Sequence, residues 1–163
     1  MRRKDRQVLD FKEIYGIIER CDVCRIALNN DGYPYMLPLN FGISAENEKL
    51  TIYFHSALEG QKLDLIKNDN RASFEMDCNH KLEYFEERGY CTYAYESVIG
   101  RGHIFMIEDD KEKFEALELL MDHYHPGKKA WFNPAAIPRT AVYKLVVEEF
   151  TAKRKEVKKR EDD

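Results

Sequence analysis

The sequence predicts a mainly β fold with helices, arranged as a small antiparallel barrel whose ends the helices cover. Strand patterns dominate the chain, and helical patterns interrupt them singly. Between two apolar runs, Asn29-Asn30-Asp31-Gly32 is a local hairpin signal, because Asn, Asp and Gly tolerate the positive φ of tight turns. Closing such a sheet into a barrel also removes its exposed edges. With 163 residues, 44% hydrophobic and 34% charged, the chain has the size and balance of one globular domain. That domain is expected over 1–152, with a charged tail over 153–163.

The elements follow in order. Asp10 with Glu13 reads as a capping box. Phe11, Ile14, Tyr15 and Ile18 then repeat at helical spacing, and the helix ends near Arg20. Val23 to Leu28 is the first strand. The second runs from Tyr33 to about Ile43 with Pro34 and Pro38 inside it. Proline has no N–H to give to a ladder, so this strand is an edge, a bulge or a corner. Ser44 to Lys49 is a polar turn, Leu50 to His55 a strand, and Glu59 to Lys67 a short helix. Ala72, Phe74 and Met76 alternate with polar residues in a half-buried strand over 71–77. Residues 79–91 show no clear period and read as a loop. Tyr93 to Glu108 is one long bent strand, with Gly100 and Gly102 marking a bulge or a close backbone approach. A helix from Asp109 to His123 carries the stripe Phe114, Leu117, Leu120, Met121. Thr140 to Phe150 is the last strand.

Composition narrows the function. A net charge of −4 gives no general attraction to nucleic acid. No apolar run is long enough to span a bilayer. Arg2, Arg3, Lys4 and Arg6 are not followed by the apolar segment of a secretory signal, so a cytoplasmic location is expected. Cys21-Asp22-Val23-Cys24 has redox or zinc spacing, but Cys24 lies in a strand, where neighbouring side chains diverge. Ordinary reduced thiols and no metal are the expectation. Neither a P-loop nor a G-x-G-x-x-G is present, so a bound nucleotide must be held by side chains and strand backbone.

The chemistry-bearing stretch is Tyr53-Phe54-His55-Ser56-Ala57-Leu58-Glu59-Gly60-Gln61-Lys62. It places an imidazole, a hydroxyl, a glycine and a lysine where a strand gives way to a helix. Such a corner offers donors and a cation to a phosphate. The alternative is a plain strand end, turn and helix start.

Three blocks, DGYPYMLPLNFG, YFHSALEGQK and YESVIGRG, occur in an order and spacing that resemble the flavin-binding split-barrel proteins related to pyridoxamine 5'-phosphate oxidase, and among them the nitroimidazole-resistance-like branch. The resemblance covers roughly residues 8 to 152. It implies an antiparallel split β-barrel of the FMN-binding type. It implies a phosphate held around Phe54, His55, Ser56 and Lys62, with Arg25 as a second cation. Leu37, Pro38, Leu39 and Asn40 would lie along the flavin ring, and Ser97 would reach it from a second subunit of a homodimer. The implied activity is FMN-dependent reduction of a small electron-poor acceptor, nitroaromatic or quinone-like, with electrons from NADH or NADPH. His55 is then the candidate proton donor, since imidazole titrates near neutral pH. A flavin carrier or sensor, or a deazaflavin or haem in the same groove, are the alternatives. The oxidase's C-terminal arginine-rich segment has no counterpart here, so vitamin B6 oxidation is not expected.

Overall fold

The structure, a computed structural model, describes residues 3–156. Most of the expected charged tail lies outside the described residues. The elements are β1 (Gln7–Val8), α1 (Phe11–Arg20), β2 (Cys24–Leu28), β3 (Tyr35–Leu39), β4 (Gly42–Glu46), β5 (Lys49–Ser56), α2 (Gln61–Asn68), β6 (Arg71–Phe85), β7 (Tyr90–Ile107), α3 (Asp110–Tyr124) and β8 (Ala141–Lys155).

The strands form one antiparallel sheet in the order β3-β2-β6-β7-β8-β5-β4, with β1 beside β8. The ends of this path, β3 and β4, are joined by only Asn40 and Phe41. Three peptide steps reach at most about 11 Å. The sheet must therefore curl until its first and last strands meet at one end. No ladder joins β3 to β4 among the described residues. The antiparallel split barrel is thus present, but hydrogen bonding does not close it, and both seam strands keep a free edge. Pro38 lies in β3, where its missing N–H costs no ladder bond if it faces the seam.

Other boundaries differ from the sequence reading for local reasons. The expected strand over 33–43 breaks at Asn40–Phe41, and Pro34 falls in the hairpin loop. The expected turn over 44–49 shrinks to Asn47 and Glu48, both at positive φ (50° and 63°), the backbone of a two-residue hairpin. Residues 79–85 are not a loop. They continue β6 past a bulge and pair with β7 from Lys81↔Ala94 to Phe85↔Tyr90. The one extra residue of that bulge put the alternation out of phase. The last strand runs to Lys155, because Lys153 and Arg154 pair with Ser97 and Glu96 of β7.

Side-chain alternation fills the interior. Ile26, Ile52, Phe54, Met76, Val98, Tyr143 and Leu145 are all fully buried there, with Ile17 of α1 packed against them. Asp10 caps α1 by accepting from the Glu13 N–H at 3.0 Å. Asp109 caps α3 the same way, through the Lys111 and Glu112 N–H groups. Glycines permit two close approaches. A Cβ on Gly42 would lie 2.6 Å from the Leu120 nitrogen, so α3 sits directly on β4. A Cβ on Gly102 would lie 2.0 Å from the Val146 oxygen, at the bulge where β7 shifts register against β8. Glu96 ties four elements together. It accepts from Arg20 at 2.8 Å, Arg154 at 2.5 Å and Asn79 at 2.5 Å.

Candidate functional site

The site builds up where β5 gives way to α2. β5 sends Leu50, Ile52 and Phe54 inward, so His55 faces outward and Ser56 inward. The ladder Phe54↔Tyr143, His55↔Val142, Ser56↔Ala141 fixes this parity. The chain then turns through Gly60, at φ +141°, into α2. No side chain caps α2. The Gly60 carbonyl accepts from Leu63 and Asp64, leaving the Gln61 and Lys62 N–H groups unclaimed within the helix. The positive end of the helix and the Lys62 ammonium thus share one corner.

Lys62 is close enough to His55 to act on its charge. Burial first, and the Lys62 charge second, lower the His55 pKa below its ordinary 6.5. The imidazole is therefore mostly neutral at pH 7. It keeps solvent access on one side, while on the other it borders a cavity of about 330 Å³. Leu117, Met121 and Tyr124 of α3, Phe132 and Ile137 of the following loop, and Asn40 complete the walls. The lining is mostly apolar, with Asn40, His55, Tyr124 and Thr140 as its polar residues, the usual make-up of a small-molecule site. Tyr124 fixes the mouth. Its hydroxyl accepts from the Phe41 N–H at 3.2 Å and donates to the Asp22 carbonyl at 2.8 Å, which pins the connector that carries Asn40.

Not every predicted residue meets here. Leu37 and Leu39 are partly buried against the core and stand opposite Ile26 and Cys24 of β2. Phe54 is fully buried, 5.6 Å from the Tyr143 ring, and offers no side-chain contact. Pro38 is exposed beside Arg25 in the ladder. The Arg25 guanidinium already pairs with Glu75 at 3.1 Å and Asp77 at 2.5 Å, so its charge is engaged. Ser97 pairs with Asp77 on β6 and Lys153 on β8, outside the His55 cavity. Trp131 is 80% exposed, and its neighbour Phe132 lines the cavity instead.

The Cys21 thiol donates to the Ile17 carbonyl at 3.3 Å, and Cys24 points into the core. Burial pushes both thiols well above the reactive range.

Sequence reasoning missed Leu117 and Met121 as cavity walls, because a helical apolar stripe looks the same whether it covers a core or a pocket. It also missed Tyr143. That side chain is fully buried and its hydroxyl has no hydrogen-bond partner. Burial raises its pKa to about 12, while the nearby Ser56 hydroxyl pulls it down. An uncapped helix start beside a lysine, with an orphaned hydroxyl next to Ser56, suits a phosphorylated ligand at the β5–α2 corner.

Comparison with known proteins follows the same line. A family model described as pyridoxamine 5'-phosphate oxidase matches residues 10–154. A crystal structure of a candidate 5-nitroimidazole antibiotic resistance protein from Bacteroides thetaiotaomicron is 30% identical, covering 91% of this chain and 86% of its own, with a TM-score of 0.79. A flavocytochrome from Azotobacter vinelandii is 18% identical, covering 99% of this chain and 76% of its own, with a TM-score of 0.78. An FAD- and heme-binding protein from Mycobacterium smegmatis is also 18% identical, covering 93% and 74%, with a TM-score of 0.78. At that identity the last two speak to the fold alone. No curated protein matches the chain.

Proposed function

The chain belongs to the pyridoxamine 5'-phosphate oxidase family, and we propose that it binds FMN at the seam and reduces a small electron-poor acceptor. The observation that carries the reading is the uncapped α2 N-terminus with Lys62 in its first turn, directly after the β5 end that sends His55 to the cavity it shares with Asn40. Flavin is named in the descriptions of the Azotobacter and Mycobacterium neighbours, and nitroimidazole resistance in that of the Bacteroides one.

In this reading Lys62, the Ser56 hydroxyl and the α2 N–H groups hold the phosphate, and the open edge of β3 lies along the ring. The flavin supplies hydride acceptance and electron delivery. His55 and Asn40 orient the acceptor in the cavity. His55 moves a proton at its imidazole, and Leu117, Met121 and Phe132 exclude water. The cavity's size and sparse polarity suit a one- or two-ring, uncharged acceptor such as a nitroaromatic or quinone. NADH or NADPH is the electron source in this account. Ser97 and Arg25 share the ladder region of Asp77, outside the cavity. Ser97 therefore contacts the ligand only as part of a homodimer, in which the outward Met36 and Ile99 gain cover.

The test is the absorbance spectrum of purified protein, followed by NADH-driven reduction of a nitroaromatic. A flavin spectrum with turnover supports the oxidoreductase. A flavin spectrum without turnover supports a carrier or sensor. A haem spectrum without flavin rejects the FMN reading.

A further inference from the structure

Native proteins leave few buried hydroxyls without a partner, and each such group asks for a reason. Tyr143 carries one. Its side chain is 0% exposed, its ring packs 5.6 Å from Phe54, and its hydroxyl is unpartnered. It stands directly opposite Phe54 on β8. Ser56 is the next inward residue after Phe54, and its side chain is near enough to act on the phenol. The buried Cys24 thiol is no substitute partner, because a thiol is only a weak acceptor.

Ser56 spends its own proton locally, donating to the Ala57 carbonyl at 2.9 Å. A serine hydroxyl has one proton and two lone pairs. To serve an anion, Ser56 must give that proton outward, and its oxygen is then free to accept from behind. The buried Tyr143 hydroxyl is a donor behind it.

We infer that Tyr143 is a positioning residue of the phosphate corner: its hydroxyl donates to Ser56 Oγ when Ser56 turns its proton from the Ala57 carbonyl toward a phosphate oxygen above α2. The inference rests on the phosphate reading given above. The bond forms with the phosphorylated ligand and has no counterpart with an unphosphorylated one. Tyr143 therefore contributes to choosing FMN over riboflavin without touching either.

The experiment is calorimetric titration of flavin-free wild type, Tyr143→Phe, Ser56→Ala and the double variant with FMN and with riboflavin, plus thermal unfolding of each without ligand. Tyr143→Phe should weaken FMN about 2- to 13-fold, the range for one neutral hydrogen bond, and leave riboflavin unchanged. In the Ser56→Ala background the same change should have no further effect, because the two residues act as one unit. Ligand-free Tyr143→Phe should melt no lower than wild type, since it removes a hydroxyl that has no partner there. An unchanged FMN-to-riboflavin ratio in Tyr143→Phe overturns the inference. So do independent, multiplying effects of the two changes, or an equal loss for both ligands. A wild type that itself fails to prefer FMN to riboflavin overturns the phosphate reading on which the inference stands.

Discussion

Replacing Lys62 by alanine separates the two jobs assigned to that side chain. One is to hold a phosphate, and the other is to depress the charge of its neighbour. Lys62 sits in the first turn of α2, where no side chain caps the helix, so a ligand phosphate there is its natural counterion. A hydrogen bond to a charged partner contributes about 1.5–3 kcal/mol. Loss of Lys62 should therefore weaken FMN by roughly 10- to 150-fold and leave riboflavin nearly unchanged. The second effect needs no flavin. His55 has its pKa lowered by burial first and by Lys62 second. In Lys62→Ala the His55 titration should move upward but stop short of the ordinary 6.5, because burial remains. Calorimetry with both flavins gives the first readout, and imidazole NMR of the ligand-free variant gives the second. Equal loss of FMN and riboflavin, or an unmoved His55, would refute the placement of Lys62 between phosphate and imidazole.

Other changes test other parts. His55→Ala should hold FMN within about tenfold of wild type yet slow the reoxidation of bound flavin by an electron-poor acceptor about 10²- to 10⁴-fold in stopped flow. If reoxidation stays normal while FMN is lost, His55 is a cofactor ligand only. A step that needs protonated His55 should speed up as pH falls, with a midpoint below 6.5. The same lowered pKa means the unfolded chain binds the proton more readily. His55 thus favours folding fully above pH 6.5 and loses that contribution as pH drops toward its folded pKa. Gly102→Ala should destabilise by about 1–3 kcal/mol or more, read from the urea midpoint, because its Cβ meets the Val146 carbonyl at 2.0 Å and backbone cannot step aside. A midpoint equal to wild type would mean that the β7–β8 bulge yields freely. Glu96→Gln should cost about 1–3 kcal/mol, toward the lower end because Arg20 remains 43% exposed. Burial pushes the Glu96 carboxyl up, but its three hydrogen-bond donors outweigh this and bring it below 4.5. Its contribution is therefore present above pH 4.5 and lost on acidification, and the variant's acid transition should be flatter than that of wild type.

How far the sequence carries the account depends on the range of the signal. The helix caps at Asp10 and Asp109, the alternation of Leu50, Ile52 and Phe54, and the close approach at Gly102 are local, and each is legible from neighbouring residues. The continuation of β6 past the Asn79–His80 bulge is not legible, because one extra residue puts the period by which a strand is recognised out of phase. The open seam is not legible either. It depends on which strands end the path, which no local pattern encodes. At the site, the strand-to-helix corner stands out by its residue types, and strand parity already sends His55 and Ser56 to opposite faces. The cavity walls come from α3 and the loop after it, more than 60 positions downstream. Arg25 shows what residue type leaves out. Its residue type suggests a phosphate ligand, while Glu75 and Asp77, 50 and 52 positions away, take up its charge.

The central claim is that the seam of this barrel binds a phosphorylated flavin. Calorimetric titration of the flavin-free wild-type protein with FMN and with riboflavin tests it most directly. The account predicts one FMN per chain, bound at least tenfold more tightly than riboflavin, as expected when a phosphate gains a charged partner. Equal affinities, or no binding of either flavin, would contradict it.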